Sequence, residues 1–198
     1  MPTSGECIVA FNLKPFNERA ERLDSGNLKG CACEVFALTA AGGDGLSDET
    51  VLARVLTDPK GMDKATGELV ADRLLGIHQS GFSVLRTGAS DAEIIETVRI
   101  LVGQTAEPQT LVGVATVTAG EIRQFDQSTR WFGVYATDVA NNLHHADILG
   151  TMPDGESKSK RKEAKKVRQR ALNRLLKSNV IRSDNETDLI IKLRALGI

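Results

Sequence analysis

Hydrophobic and polar residues alternate along several short stretches of the chain, which is the pattern of half-buried β-strands. The clearest stretches are LVGVATVT at 111–118 and WFGVYATDV at 131–139, each bounded by polar turn residues. Because the segment between them must turn, we predict that these two strands are antiparallel neighbours. The full set of predicted strands is 7–13, 31–40, 81–88, 111–118 and 131–139.

Other segments have apolar residues at every third or fourth position, which is the period of an amphipathic helix. Ser47 is a predicted N-cap, and Ser90 with Glu93 and Ser183 with Glu186 have the spacing of a capping box. In a capping box each side chain bonds the backbone amide of the other residue. The predicted helices are 47–58, 64–79, 94–103 and 160–178, followed by one that begins near residue 186.

The order of these elements predicts an α+β fold. We expect residues 1–150 to form a globular body that folds by itself, with a mixed sheet of at least four strands and packed helices. Residues 151–159 are polar and contain proline, glycine and serine, which is typical of a linker. Residues 160–198 are predicted to form a basic helical hairpin.

The net charge of −1 conceals two segments of opposite charge. Residues 1–156 contain twelve basic and twenty-two acidic side chains, whereas residues 157–182 contain eleven basic side chains and one acidic side chain. The two segments therefore have net charges of −10 and +10. Such an asymmetry within one chain orients the protein toward an anionic partner.

The composition favours a cytoplasmic protein. No apolar run approaches the roughly 20 residues that span a bilayer, and the N-terminus lacks the pattern of a signal peptide. Three cysteines, an odd number, argue against a disulfide framework, so we expect reduced thiols. We predict no membrane association and no cofactor.

The basic helix at 160–178 is the first candidate site. Its narrow apolar stripe, formed by Ala164, Val167, Ala171 and Leu175 and widened by Leu172 and Leu176, is predicted to dock on the body, on a second copy or on another protein. Its cations suit either an acidic protein face or the phosphates of nucleic acid. The predicted binding residues are Lys162, Lys165, Lys166, Arg168, Arg170 and Arg174.

The stretch ANNLHHADILG at 140–150 is the second candidate site. Imidazole can act as a general base, and on an extended chain His145 and Asp147 point to the same side. Tyr135 and Arg123 could join them as catalytic residues. The alternative is a structural role, in which His145 bonds backbone carbonyls and His144 is solvated. The sequence contains no nucleophile elbow, Walker loop or dinucleotide fingerprint, which makes an enzyme the less favoured class.

A third group of residues surrounds Cys31 and Cys33. The Cys-x-Cys spacing is not typical of zinc ligands, so we predict two buried structural thiols and no metal site. Glu34 points to the other side of the predicted strand. A buried carboxylate requires a partner, so Glu34 is predicted to be exposed or to pair with Arg86 or Arg123.

The order of three motifs, GFSVLRTGASDAEI, LVGVATVTAGEIR and RWFGVYATDVANNLHHADI, resembles a set of small uncharacterised bacterial proteins. The resemblance covers roughly residues 30–150 and implies no established activity. It favours His145 over His144, because His145 precedes Ala146 as in the motif, whereas Leu143 stands where the motif has proline. We therefore expect a bacterial interaction protein that binds a protein partner or a second copy through its basic helix. Nucleic-acid binding by that helix and a ligand or catalytic site at His145 are the alternatives.

Overall fold

A computed structural model describes residues 1–67, 69–70, 76–103, 108–125, 130–139, 142–153 and 157–198. Its centre is a six-stranded sheet with the strand order β4-β5-β2-β1-β3-β6. The strands are β1 (Val51–Asp58), β2 (Phe82–Arg86), β3 (Thr110–Thr118), β4 (Phe132–Ala136), β5 (His145–Gly150) and β6 (Val180–Arg182). The helices are α1 (Ser4–Asn12), α2 (Arg19–Leu23), α3 (Asp91–Gly103), α4 (Ala119–Arg123), α5 (Lys158–Ser178) and α6 (Glu186–Ala195).

The predicted α+β class is confirmed, but the sheet is antiparallel and not mixed. Each of the five strand pairings is antiparallel. The prediction that β3 and β4 are neighbours is wrong, because β3 pairs with β1 and β6 while β4 pairs with β5. The strands β2, β3 and β4 and the helices α3 and α5 lie where the sequence pattern predicts them.

The first predicted strand is wrong, because the segment forms helix α1. Thr3 caps this helix by accepting a hydrogen bond from the backbone amide of Glu6, and the Glu6 carboxylate accepts one from the Thr3 amide at 2.7 Å. Cys7 and Phe11, one turn apart, are buried. The spacing of Thr3 and Glu6 is the capping-box signal that identifies this helix in the sequence.

The second predicted strand is also wrong, because Ala32–Val35 forms a 3-10 turn. Cys31 precedes it with a φ of 63°, in the left-handed region. Cys33 forms a disulfide with Cys7, which corrects the expectation of reduced thiols. Cys31 is free, and burial raises the pKa of its thiol to about 12.

The predicted helix at 47–58 is wrong, because Val51–Asp58 is strand β1. Leu52 and Leu56 lie on one face of the sheet, and Ala53 and Val55 lie on the other. All four are buried, since β1 is a central strand with both faces covered. A strand buried on both sides loses the alternation of polar and apolar residues, which explains the error.

Two further predictions fall partly on residues that the structure does not describe. The predicted helix at 64–79 includes residues 68 and 71–75; its described part contains a turn and a bridge between Met62 and Leu69. The predicted linker includes residues 154–156. Among the described residues, no helix has the length and apolar character needed to cross a membrane.

The C-terminal elements pack on the sheet. Leu172 and Leu176 of α5 belong to the hydrophobic core on one face, together with Leu52 of β1. Leu189 and Leu193 of α6 belong to the core on the other face. Strand β6 extends the sheet beyond β3, and Asn185, not the predicted Ser183, caps α6 by accepting from the amide of Asp188.

Candidate functional site

Helix α5 has a buried row of side chains with a spacing of four residues. Arg168, Leu172 and Leu176 form this row and face the sheet. The predicted apolar stripe is rotated from this row, since Val167 is 45% exposed. The rotation follows from Leu172 and Leu176, which fill the core more completely than the small side chain of Ala171 could.

Arg168 is buried and holds α5 against the segment after β5. Its Nη1 donates to the Thr151 carbonyl oxygen at 2.8 Å and to Thr151 Oγ1 at 2.7 Å. Its guanidinium also lies 5.6 Å from the ring centre of Trp131. Arg168 was predicted to bind a partner; its burial makes it a structural residue instead.

The exposed cations of α5 form a second row on the opposite side of the helix. Two residues correspond to about 200° of rotation, so a row displaced by two positions from the buried row faces outward. Its members, which lie four residues apart over about 12 Å of helix, are all exposed. We call this set the outer row: Lys166, Arg170 and Arg174.

Lys165 lies seven residues before a member of the buried row, so it is on the inner side of α5, and it is half-buried. It lines a cleft of about 710 Å³ together with Lys162 and with Glu21 and Asp24 of the N-terminal segment. Burial lowers the pKa of Lys165, while Glu21 opposes that shift. Of the predicted binding residues, three therefore lie in the outer row, Lys162 and Lys165 line a cleft with the chain's own carboxylates, and Arg168 is buried.

The second candidate site is a network centred on Asp147 of β5, which is buried. Ser83 Oγ donates to Asp147 Oδ1 at 3.0 Å, and Thr137 Oγ1 donates to Oδ2 at 3.3 Å. Thr137 Oγ1 is also 2.7 Å from Nδ1 of His145, and Nη1 of Arg19 is 3.8 Å from Asp147 Oδ2. His145 and Asp147 are thus connected through Thr137, on the shared side that the sequence predicts.

His145 is buried and uncharged near neutral pH. Burial lowers its pKa, Asp147 opposes that change, and Arg54 and Arg19 lower the pKa further. The anionic carboxylate of Asp147 can only accept hydrogen bonds, so it takes the single hydroxyl proton of Thr137. The Thr137 oxygen then accepts the Nδ1 proton of His145, which leaves the lone pair on Nε2.

His144 has a different role from the solvated one predicted for it. Its Nδ1 is 3.0 Å from Glu93, whose carboxylate also accepts from the Leu143 amide at 2.7 Å. Burial alone would raise the pKa of Glu93, but these bonds and those from Ser90 lower it to about 2. The capping box predicted for Ser90 and Glu93 is present, so one carboxylate both caps α3 and fixes the chain before β5.

Arg123 and Tyr135, the other predicted catalytic residues, belong to a different cluster. Arg123 Nε donates to Glu34 Oε1 at 3.1 Å, which bears out the predicted pairing of these two residues. Glu34 also accepts from Arg130 and from the Val134 amide. Burial raises the pKa of Tyr135, which packs in the cluster that contains the disulfide.

The polar partners of the His145 network were not identified from the sequence. Ser83, Thr137 and Arg19 come from three separate segments, and only the strand pairing brings Ser83 opposite Asp147. No single motif contains them. In the described residues, no group of three or more His, Cys, Asp or Glu side chains is arranged to hold a metal ion.

No family model, curated protein or solved structure matches the chain. The resemblance to small bacterial proteins therefore stays a prediction, and two residues of its last motif, 140 and 141, lie outside the described residues.

Proposed function

We propose that this protein binds duplex nucleic acid through the outer row of α5, by contacts to phosphates and without reading the bases. The observation that carries the proposal is the opposition of the two rows on α5. The leucines face inward and are already used by the core, while the cations of the outer row face outward. The surface that α5 presents to a partner is therefore mainly positively charged.

Binding to a phosphate backbone requires few contacts besides those of the cations. Neutralised phosphates release counterions, and this release provides most of the nonspecific affinity. Protein interfaces depend on a desolvated core of apolar and aromatic side chains. Within α5, all of which the structure describes, Val167 is the only large apolar side chain that is exposed. These features favour nucleic acid over the protein partner or second copy that the sequence suggested.

The charge of the rest of the chain supports a defined orientation. Residues 1–156 have a net charge of −10, so a polyanion is repelled by most of the surface and attracted to α5. The outer row spans about 12 Å of helix, over which one strand of B-form DNA presents about four phosphates. Its three cations can therefore each neutralise a phosphate.

The test is the affinity for a fluorescein-labelled DNA duplex of mixed sequence, measured by fluorescence anisotropy. Lys166→Glu combined with Arg170→Glu reverses two charges of the outer row, and we expect affinity to fall by about tenfold or more. The matched control, Lys14→Glu with Lys64→Glu, changes the net charge equally at exposed positions outside α5. Equal losses in the two variants would contradict a site on α5, and a retained acidic protein partner with no DNA affinity would favour the protein alternative.

A further inference from the structure

A cavity of about 310 Å³ lies between α3 and the sheet, on the side opposite α5. Thr97, Ile100 and Leu101 of α3 form one wall, and Leu85 of β2 and Val55 of β1 form the floor beside His145. This volume is at the lower end of the range of ligand pockets, roughly 300–1,000 Å³. The cavity is independent of the proposed nucleic-acid surface.

Apolar side chains line somewhat more than half of the cavity, and polar side chains, among them Thr97, Asn142 and His145, line the rest. His145 is 9% exposed, and its Nδ1 is engaged with Thr137. Among the residues that the structure describes, none forms a hydrogen bond with Nε2. The hydrogen-bond chain from Asp147 through Thr137 places the lone pair on Nε2, so His145 offers the cavity one acceptor without a donor.

The charged groups around the cavity balance one another. Arg54 and Glu96 both line it, and Arg54 Nη1 donates to the Ser83 carbonyl oxygen at 2.7 Å. Asp147 is held by Ser83, Thr137 and Arg19. A neutral ligand therefore suits the cavity better than an anion or a cation.

Two large apolar side chains among the lining residues remain exposed. Ile100 is 42% exposed and Val139 is 45% exposed. No helix or strand in the described part of the chain covers their exposed surface, so an apolar ligand that enters the cavity would remove part of it from water.

We propose that the cavity binds a small neutral molecule that is mostly apolar and has one hydrogen-bond donor, as a phenol has, and that Nε2 of His145 accepts that donor. His145 acts here as a binding residue. The network of Thr137, Asp147 and Ser83 fixes its tautomer and ring orientation.

The test uses the full chain, uniformly labelled with ¹⁵N, and phenol as the probe. Long-range ¹H–¹⁵N NMR observes the imidazole nitrogens, and an ordinary ¹H–¹⁵N correlation observes the backbone amides. In the free protein, Nε2 of His145 should have the shift of an unprotonated ring nitrogen. Phenol should move that signal saturably, together with the backbone amides of Thr97, Leu85 and Leu101. A signal from a protonated Nε2, no saturable binding, or amide shifts without a change at Nε2 would each overturn the proposal.

Two related probes test the chemistry of the ligand. Toluene has the same ring without the hydroxyl group and should bind about fivefold more weakly, which is the usual effect of one neutral hydrogen bond. Benzoate adds a charge and should also bind more weakly than phenol. Equal binding of toluene, or tighter binding of benzoate, would show that His145 does not select the ligand.

A pair of variants tests the location. Ile100→Trp fills the entrance of the cavity at an exposed position and should abolish phenol binding. Ile191→Trp, at an exposed position of α6 that does not line the cavity, is the matched control and should bind phenol as the wild type does. Unchanged binding in Ile100→Trp, or an equal loss in both variants, would contradict this location. Both positions are exposed, so neither variant depends on repacking the core.

Discussion

Arg168 and Arg170 are two residues apart on α5 and have opposite environments. Arg168 is 6% exposed and donates to the carbonyl and hydroxyl oxygens of Thr151, whereas Arg170 is exposed in the outer row. The same residue type therefore stabilises the fold at one position and is free to meet a partner at the other. The number of cations in a helix therefore overstates the number that can contact a partner, unless the packed side of the helix is known.

We expect the largest loss of stability when α5 and the elements after it are removed, because the inner side of α5 is part of the core. A chain that ends at Gly150 loses Leu172 and Leu176 from one core, Leu189 and Leu193 from the other, and β6 from the sheet. Although the sequence suggests that residues 1–150 fold by themselves, the structure leads us to expect a non-cooperative thermal melt for this truncated chain.

The control for the truncation is the full-length chain with Lys166→Glu and Arg170→Glu, which changes only the outer side of α5. It should melt as cooperatively as the wild type, as followed by circular dichroism. A cooperative melt of the truncated chain near the wild-type temperature would contradict the structural role given to the inner side.

The next largest effect concerns pH and the residue His78, which lies near the inner side of α5. Burial lowers the pKa of His78 to about 4, and the positive charges of Lys165 and Arg168 contribute. Between pH 6.5 and pH 4 the unfolded chain binds the proton and the folded chain does not. The stability contributed by neutral His78 is therefore present above pH 6.5 and is lost as the pH falls toward 4, by about 3 kcal/mol.

This contribution is measured by urea denaturation at several pH values in the wild type and in His78→Gln. The wild type should lose about 3 kcal/mol more than the variant between pH 6.5 and pH 4. Groups such as His145, whose pKa burial also lowers, are present in both chains and cancel in the comparison. Parallel pH profiles for the two chains would exclude the proposed role of His78.

The smallest of the stability effects compares the two arginines directly. Arg168→Met keeps an unbranched side chain but leaves the Thr151 oxygens without their charged donor, so the free energy of unfolding should fall by about 2 kcal/mol. Arg170→Met should change it by less than about 0.5 kcal/mol, as is usual for exposed positions. Urea denaturation at neutral pH measures both values, and similar losses in the two variants would refute the contrast.

Sequence patterns predicted those elements in which local and tertiary preferences agree. Helix α3 was predicted from its capping box and apolar period, and α5 from its length and composition. Strand β1 departs from the predicted helix because both of its faces are buried, and α1 departs from the predicted strand because Thr3 and Glu6 form a capping box. Strand β5 has no alternation of polar and apolar positions to predict it, since all six of its residues are buried.

The candidate sites were predictable to different degrees. The common side of His145 and Asp147 follows from the two-residue period of an extended chain, and the pairing of Glu34 with Arg123 follows from the cost of an unpaired buried charge. Ser83, Thr137 and Arg19 could not be predicted, because strand order decides which distant residues meet. Leu172 and Leu176, which the sequence predicts only as the edge of the apolar stripe of α5, form the centre of its packed side in the structure.

The most direct test of the central claim, that the outer row of α5 contacts phosphates, is the salt dependence of duplex binding. If three phosphates are neutralised, log affinity should fall against log salt with a slope of about −2.7, which is roughly a 40-fold loss between about 50 and 200 mM salt. Reversing Lys166 and Arg170 should make that slope less steep by about 2. An affinity that barely depends on salt, or an identical slope in the variant, would contradict binding of nucleic acid by this helix.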